Sequence, residues 1–224
     1  SSMIKHEVLQ QLMPFAKLSP ATLQALSQRA FLRSLPEGQT FVIEGTPAEF
    51  GYFLLSGQVR VLRMSEDGRL QVLGRFGRGA PLNIISLLAE DRLNRASIEA
   101  LTPLETLVLS ADDFDYLLSH CLDFSNRLLQ IFAQRMSGIT DLAASLSLYS
   151  VRARLAQFLV ELADLPVAAG GWTQDEIAAQ IGTVRDVVGR LLRDFEAQGL
   201  IMRDRQEITL LNRAGLEAVA AQRE

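Results

Sequence analysis

The spacing of apolar positions changes twice along this 224-residue chain. Residues 3–30 carry them at helical intervals, interrupted at Pro14 and restarted at Ser19-Pro20. Ser19 suits an N-cap and Pro20 the first helical position, so two short helices are predicted. From residue 31 to 109 the period becomes that of short β runs, at 31–35, 40–44, 52–55, 58–64, 70–76, 96–100 and 105–109. Turn signals stand at the corners: Pro36-Glu37-Gly38, Gly45-Thr46-Pro47, Ser56-Gly57, Glu66-Asp67-Gly68, Gly77-Arg78-Gly79 and Thr102-Pro103. Short strands at this density predict a closed or sandwiched all-β domain, a jelly-roll-like β-roll.

The helical period returns with a short helix at 111–118 and a long one at 122–146. In the long helix Leu129, Phe132, Met136, Ile139, Ala143 and Leu146 alternate by three and four, the spacing of a coiled-coil seam. Leu128, Ile131 and Leu142 widen the stripe toward the β domain. A helix of about 24 residues is ~36 Å long, more than one small core can bury, and the seam therefore predicts a homodimer. Ser150 then caps a helix at 151–163, and Pro166 with Gly170-Gly171 leads into the last stretch. The fold class expected is α+β: a sensing domain over 3–121, a dimerisation helix over 122–147 and a C-terminal domain over 148–224.

That last stretch reads TQDEIAAQIGTVRDVVGRLLRDFEAQGLI. Thr173 and Glu176 have capping-box spacing, and Gly182 supplies the backbone a sharp turn needs. In the following helix Val187, Val188, Leu191, Leu192 and Phe195 form an apolar stripe, and Arg185, Asp186, Gly189, Arg190 and Arg193 occupy the other face. Arginine pairs bidentately with guanine and a carboxylate accepts from cytosine N4. The pattern predicts a helix-turn-helix whose second helix lies in a DNA major groove. Residues 200–211 follow as strand, polar tip (Arg203, Asp204, Arg205, Gln206) and strand, the hairpin of a winged helix.

Charge tempers this expectation. The net charge is −4, and from Ser150 onward nine Arg face eleven acids with no Lys. Any DNA affinity must come from a local basic patch, and the non-specific term, which follows the phosphates neutralised, should be modest. A β-roll that binds a ligand and acts through protein contacts alone is the competing reading. One cysteine, Cys121, and two histidines, His6 and His120, exclude internal disulfides and an iron–sulfur site within one chain. No metal site is expected, and no nucleophile–base constellation suggests an enzyme. The N-terminus lacks a signal peptide and no apolar run is of spanning length, so a cytoplasmic chain without a membrane is expected.

The order of parts resembles the Crp/Fnr family of bacterial transcription regulators over nearly the whole chain. PEGQTFVIEGTPAEFGYFLLSGQVRV at 36–61 is similar to the family's opening β-roll strands, and EIAAQIGTVRDVVGRLL at 176–192 to its recognition motif. The resemblance implies a homodimer on a palindromic promoter site in double-stranded DNA, acting on RNA polymerase. It assigns base reading to Arg185, Asp186 and Arg190, with Asp186 one methylene shorter than the family's Glu. Thr173, Gln174, Thr183, Arg193, Arg203 and Arg205 would touch phosphates.

The resemblance also places an effector pocket at Asn83, Ile84, Ser86, Leu87, Arg95, Ala96 and Ser97, with Ile139 and Thr140 from the long helix. Cyclic-nucleotide-binding members carry a Gly-Glu pair where this chain has Asn83-Ile84. The loss of the ribose acceptor argues against a cyclic nucleotide, because a polar-ligand site tolerates a missing partner least. Haem-binding members exist, and 82–88 has the apolar character of a haem wall, with His6, His120, Met64, Cys121 or the N-terminus as candidate ligands. The effector stays unidentified.

Overall fold

The computed structural model describes Leu9 and residues 13–65, 70–164, 171–204 and 207–222. The N-terminus, His6, Arg205 and most of the first expected helix lie outside that set. Packing divides the chain into two compact units, one running to Arg135 and the other starting at Met136. The division falls inside the long helix, whereas the sequence placed boundaries at its two ends.

In the first unit a 3-10 turn at Met13–Phe15 precedes α1 (Pro20–Arg29). The strands are β1 (Phe31–Leu35), β2 (Thr40–Val42), β3 (Phe50–Ser56), β4 (Val59–Met64), β5 (Leu70–Phe76) and β6 (Pro81–Leu82). After α2 (Ile84–Leu88) come β7 (Ser97–Ala100) and β8 (Leu104–Ser110). They form two four-stranded sheets, ordered β1-β8-β3-β6 and β2-β7-β4-β5, with every pairing antiparallel. Tyr52, Leu54 and Val108 pack with Val42, Val59 and Ile98 in one core. Phe53, Leu107 and Leu109 point to the opposite face, as strand alternation requires, and meet Phe15, Leu23, Phe114 and Phe124 in a second. Strands β3 and β8 are thus covered on both faces, which is why they read as nearly continuous apolar runs.

Helices α3 (Ala111–His120) and α4 (Leu122–Leu148) follow. One polar knot ties α4 to α1. The Asp123 carboxylate accepts from Thr22 Oγ1 at 2.5 Å, from Ser19 N at 2.8 Å and from Phe124 N at 3.0 Å. Partial burial pushes its pKa up, but these bonds outweigh that and hold it below the ordinary 3.8. A carboxyl more acidic folded than unfolded stabilises above its unfolded pKa and ceases to do so as pH falls through its folded value. Asp123→Asn should therefore lower the melting temperature at pH 7 and flatten its decline below pH ~3.8. Parallel acid titrations of variant and parent would show the knot to be inert.

The second unit carries α5 (Val151–Ala163), α6 (Gln174–Ile181), α7 (Arg185–Ala197), the hairpin β9 (Ile201–Asp204) and β10 (Glu207–Leu210), and α8 (Arg213–Ala220). Its core joins Leu155, Leu159, Ile177, Ile181, Val188, Leu192, Phe195 and Leu216. Ser150 caps α5 by accepting from Ala153 N, as its sequence position suggests. Helix α8, like the short α2, was not legible in the sequence. Arg213 holds α8 to the end of α5 through Asp164, at 2.6 and 2.8 Å. No helix among the described residues is long and apolar enough to cross a membrane.

Candidate nucleic-acid interface and effector cavity

The turn between α6 and α7 is fixed by local chemistry. Thr173 Oγ1 accepts from Glu176 N at 3.2 Å and Glu176 Oε2 accepts from Thr173 N at 2.8 Å, a complete capping box. Gly182 has φ 68°, a left-handed conformation glycine adopts freely. Thr183 N then donates to Ala178 O at 2.9 Å, closing the α6 C-terminus. Val188, Leu192 and Phe195 are fully buried beneath α7.

With that face fixed, Arg185, Asp186, Arg190 and Arg193 are all exposed, within about 140° of arc at 100° per residue. Arg185 stands 3.7 Å from Asp175, a long surface pairing that costs little to exchange. Gly189 is buried, and a Cβ there would come 2.7 Å from Gln174 Oε1. That atom is the end of a flexible side chain, which can move aside. Gln174 is itself half-buried.

Arg203 behaves differently from the exposed arginines. Its Nε and Nη2 donate to Glu196 Oε2 at 3.1 and 2.7 Å, and its backbone N donates to Oε1. These bonds hold the Glu196 carboxyl below its usual range. Arg203 therefore anchors the wing to α7 and presents no free fork to a phosphate.

The first unit contains a cavity of about 300 Å³. Asn83, Ile84, Ser86, Arg95 and Ala96 line it, together with Val61, Arg63, Leu73, Phe76, Leu82, Phe132 and Arg135. Asn83 precedes α2 at φ 61° and is thus left-handed. Asparagine is one of the few residues that enter this region, so it meets the backbone demand of the family's glycine. Its Nδ2 donates to Phe50 O at 2.9 Å and to Asn94 Oδ1 at 2.8 Å. Ser86 Oγ accepts from Arg95 N at 3.1 Å, and Arg95 Nη2 donates to Asp91.

Family models match both parts of the chain: a cyclic nucleotide-binding domain at residues 32–121 and a Crp-like helix-turn-helix domain at 153–219. The cAMP-activated global transcriptional regulator of Pasteurella multocida is 30% identical over 187 residues, covering 80% of this chain and 90% of that one. The chain belongs to the Crp/Fnr family. A CRP-family transcriptional regulator of Thermus thermophilus superposes with a TM-score of 0.67 at 27% identity, covering 85% of this chain and 97% of the other. A c-di-GMP-responsive global regulator of Xanthomonas campestris shares the fold, with a TM-score of 0.70 at 24% identity, covering 86% and 99%. As a Crp/Fnr member the chain is a DNA-binding transcription regulator rather than an enzyme.

Several of the expected pocket residues are not among those that line the cavity of the first unit. Leu87 turns into the core, 2.9 Å from where a Cβ on Gly51 would stand. Ser97 Oγ accepts from Glu44 N at 3.0 Å, in β7. Neither lines the cavity. Ile139 and Thr140 are exposed in the second unit, and Thr140 Oγ1 donates to Met136 O. Phe132 leaves the seam: it packs against the first core and lines the cavity, because it lies four residues beyond buried Leu128. The remaining seam residues, Leu129, Met136, Ile139, Ala143 and Leu146, are exposed.

Arg135 was missed, although the sequence carried a signal for it. Leu128, Phe132 and Arg135 fall at i, i+4 and i+7, which sets a cation on an inward-facing stripe. Its Nη2 donates to Pro81 O at 3.2 Å, and its guanidinium lies 5.4 Å from the centre of the Phe76 ring. Burial draws its pKa downward. Of the candidate haem ligands, His120 stacks on Tyr116 at 4.1 Å, Cys121 abuts the first core and Met64 is exposed. None of these three lines the cavity. Among the described residues no group of three or more His, Cys, Asp or Glu could hold a metal.

Proposed function

We propose that two copies of this chain, joined along the exposed α4 seam, bind a roughly palindromic promoter site in the cytoplasm and act there on RNA polymerase. Arg185, Asp186 and Arg190 read base edges, while Thr173, Gln174, Thr183 and Arg193 touch phosphates. The observation that carries this reading is the exposed Arg-Asp-Arg face of α7, held by the buried Val188, Leu191, Leu192 and Phe195. An effector in the first unit's cavity gates the regulator by favouring one of two arrangements of the paired α7 helices. Half-sites one DNA turn apart, about 34 Å, accept only one such arrangement.

That effector is not a cyclic nucleotide. The Pasteurella relative is named as cAMP-activated, but Ile84 replaces the ribose-accepting Glu and, among the described residues, no carboxylate lines this cavity. The domains we assign accordingly are effector sensing before the long helix, dimerisation along it and DNA binding after it.

The test is a titration of the chain onto its own upstream DNA at several salt concentrations, with and without cyclic AMP. Binding that weakens steeply with salt and ignores cyclic AMP is expected. Absence of any salt-dependent shift would favour a β-roll module that works through protein contacts. Activation by cyclic AMP would overturn the reading of Asn83 and Ile84.

A further inference from the structure

We propose that the cavity of the first unit takes an organic carboxylate with a compact apolar body, the carboxylate seated on Arg135 and the body against Phe76, Leu82 and Phe132. This deepens the gating reading and rests on it only in calling the ligand an effector.

The lining is unbalanced in charge. Among the described residues it includes Arg63, Arg95 and Arg135 and neither Asp nor Glu. Arg63 pairs with Glu44 at 3.2 Å and Arg95 with Asp91 at 2.8 Å, and both side chains are more than half exposed. Arg135 is half-buried and, among the described residues, has no carboxylate within ion-pairing distance. A guanidinium has five donors in a planar fork that matches a carboxylate. One bond to Pro81 O leaves the rest of the Arg135 fork without a carboxylate among the described residues, so an anion in the cavity meets donors placed to pair with it.

Apart from Asn83 and Ser86 the remaining wall is apolar, and Leu73 and Ile85 line it while staying 46% and 57% exposed. About 300 Å³ is at the small end of ligand pockets, so the body must be compact. A sugar would find little to hold it: the Asn83 amide hydrogens go to Phe50 and Asn94, and Ser86 Oγ receives Arg95 N.

The experiment is calorimetric titration of the full chain with octanoate and naphthalene-2-carboxylate, beside 1-octanol, 2-naphthalenemethanol and acetate. At least one acid should bind below millimolar concentration and at least tenfold tighter than its own alcohol, with acetate undetectable. Arg135→Gln should abolish the preference for acid over alcohol, and Arg135→Lys should retain part of it. Phe132→Ala should weaken acid and alcohol alike. Alcohols binding as tightly as acids, no acid binding, or a preference that survives Arg135→Gln in a chain that still melts cooperatively would each overturn the proposal. Calorimetry involves no DNA, so failure here leaves the DNA-binding reading standing. Acid binding in a chain that ignores DNA would sink that reading and keep this one.

Discussion

Arg185→Ala should reduce affinity for the cognate site ten- to a hundredfold, about 1–3 kcal/mol, and relax preference at one base pair of each half-site. On random DNA the same change should cost little, because there Arg185 contributes one phosphate contact among several. The magnitude follows from what the side chain leaves behind. Its 3.7 Å pairing with Asp175 is long and exposed, so little is lost in trading it for a bidentate bond to guanine. Arg203→Ala is the contrasting case. With its fork on Glu196, removing it should loosen the wing and lower the melting temperature, yet leave DNA affinity nearly unchanged. Competition assays with cognate and scrambled duplexes separate the two variants. Equal losses of Arg185→Ala on both duplexes would remove it from base reading.

What was legible in the sequence was whatever obeys a local rule. The capping box at Thr173, the left-handed turn at Gly182 and the α7 stripe all come from spacing of a few residues, and all are present. Seven of the eight strands of the first unit were found because each is bounded by a turn signal, the two-residue β6 being missed, and the Crp/Fnr assignment rested on the order of those parts. What escaped needs the third dimension. Helix α2 is only Ile84–Leu88 and is set up by Asn83, whose amide bonds reach residues 33 positions back and 11 ahead. Gly189 was placed with the arginines on the outer face by its spacing, whereas it is buried beside the Gln174 side chain. Arg203 was grouped with the basic patch because nothing in a linear reading sets Glu196, seven residues earlier, against it.

The long helix shows where a periodic reading divides. A three–four alternation marks every apolar position that could face a partner, but it cannot tell which of two partners each one faces. Near the start of α4 the β-roll core is close by: Leu128 is buried, and Phe132 packs on the same core. From Met136 onward the alternation continues on exposed residues, with Met136 at 69% and Ile139 at 67%. The same stripe therefore packs within the chain first and is exposed afterwards, the half we assign to a second copy, and Arg135 sits at the changeover.

The larger of the expected effects follows from that division. Met136→Lys combined with Ile139→Lys should convert a dimer of the 24.7 kDa chain into a monomer. It should also cut affinity for the palindromic site at least a hundredfold, since each half-site would then be bound without the effective concentration that linkage provides. Each side chain moved from water into an apolar seam is worth roughly 1.5–3 kcal/mol, and twofold symmetry doubles the count. Placing four lysines in such a seam replaces that gain with like-charge repulsion and desolvation. The fold of either unit should be untouched, because neither residue contributes to a core. Phe132 must be left out of this test, since its loss would damage the core and the cavity together. Sedimentation velocity decides the matter. A monomeric parent chain, or a double variant that remains dimeric, would mean that the exposed half of the helix faces something other than its own copy.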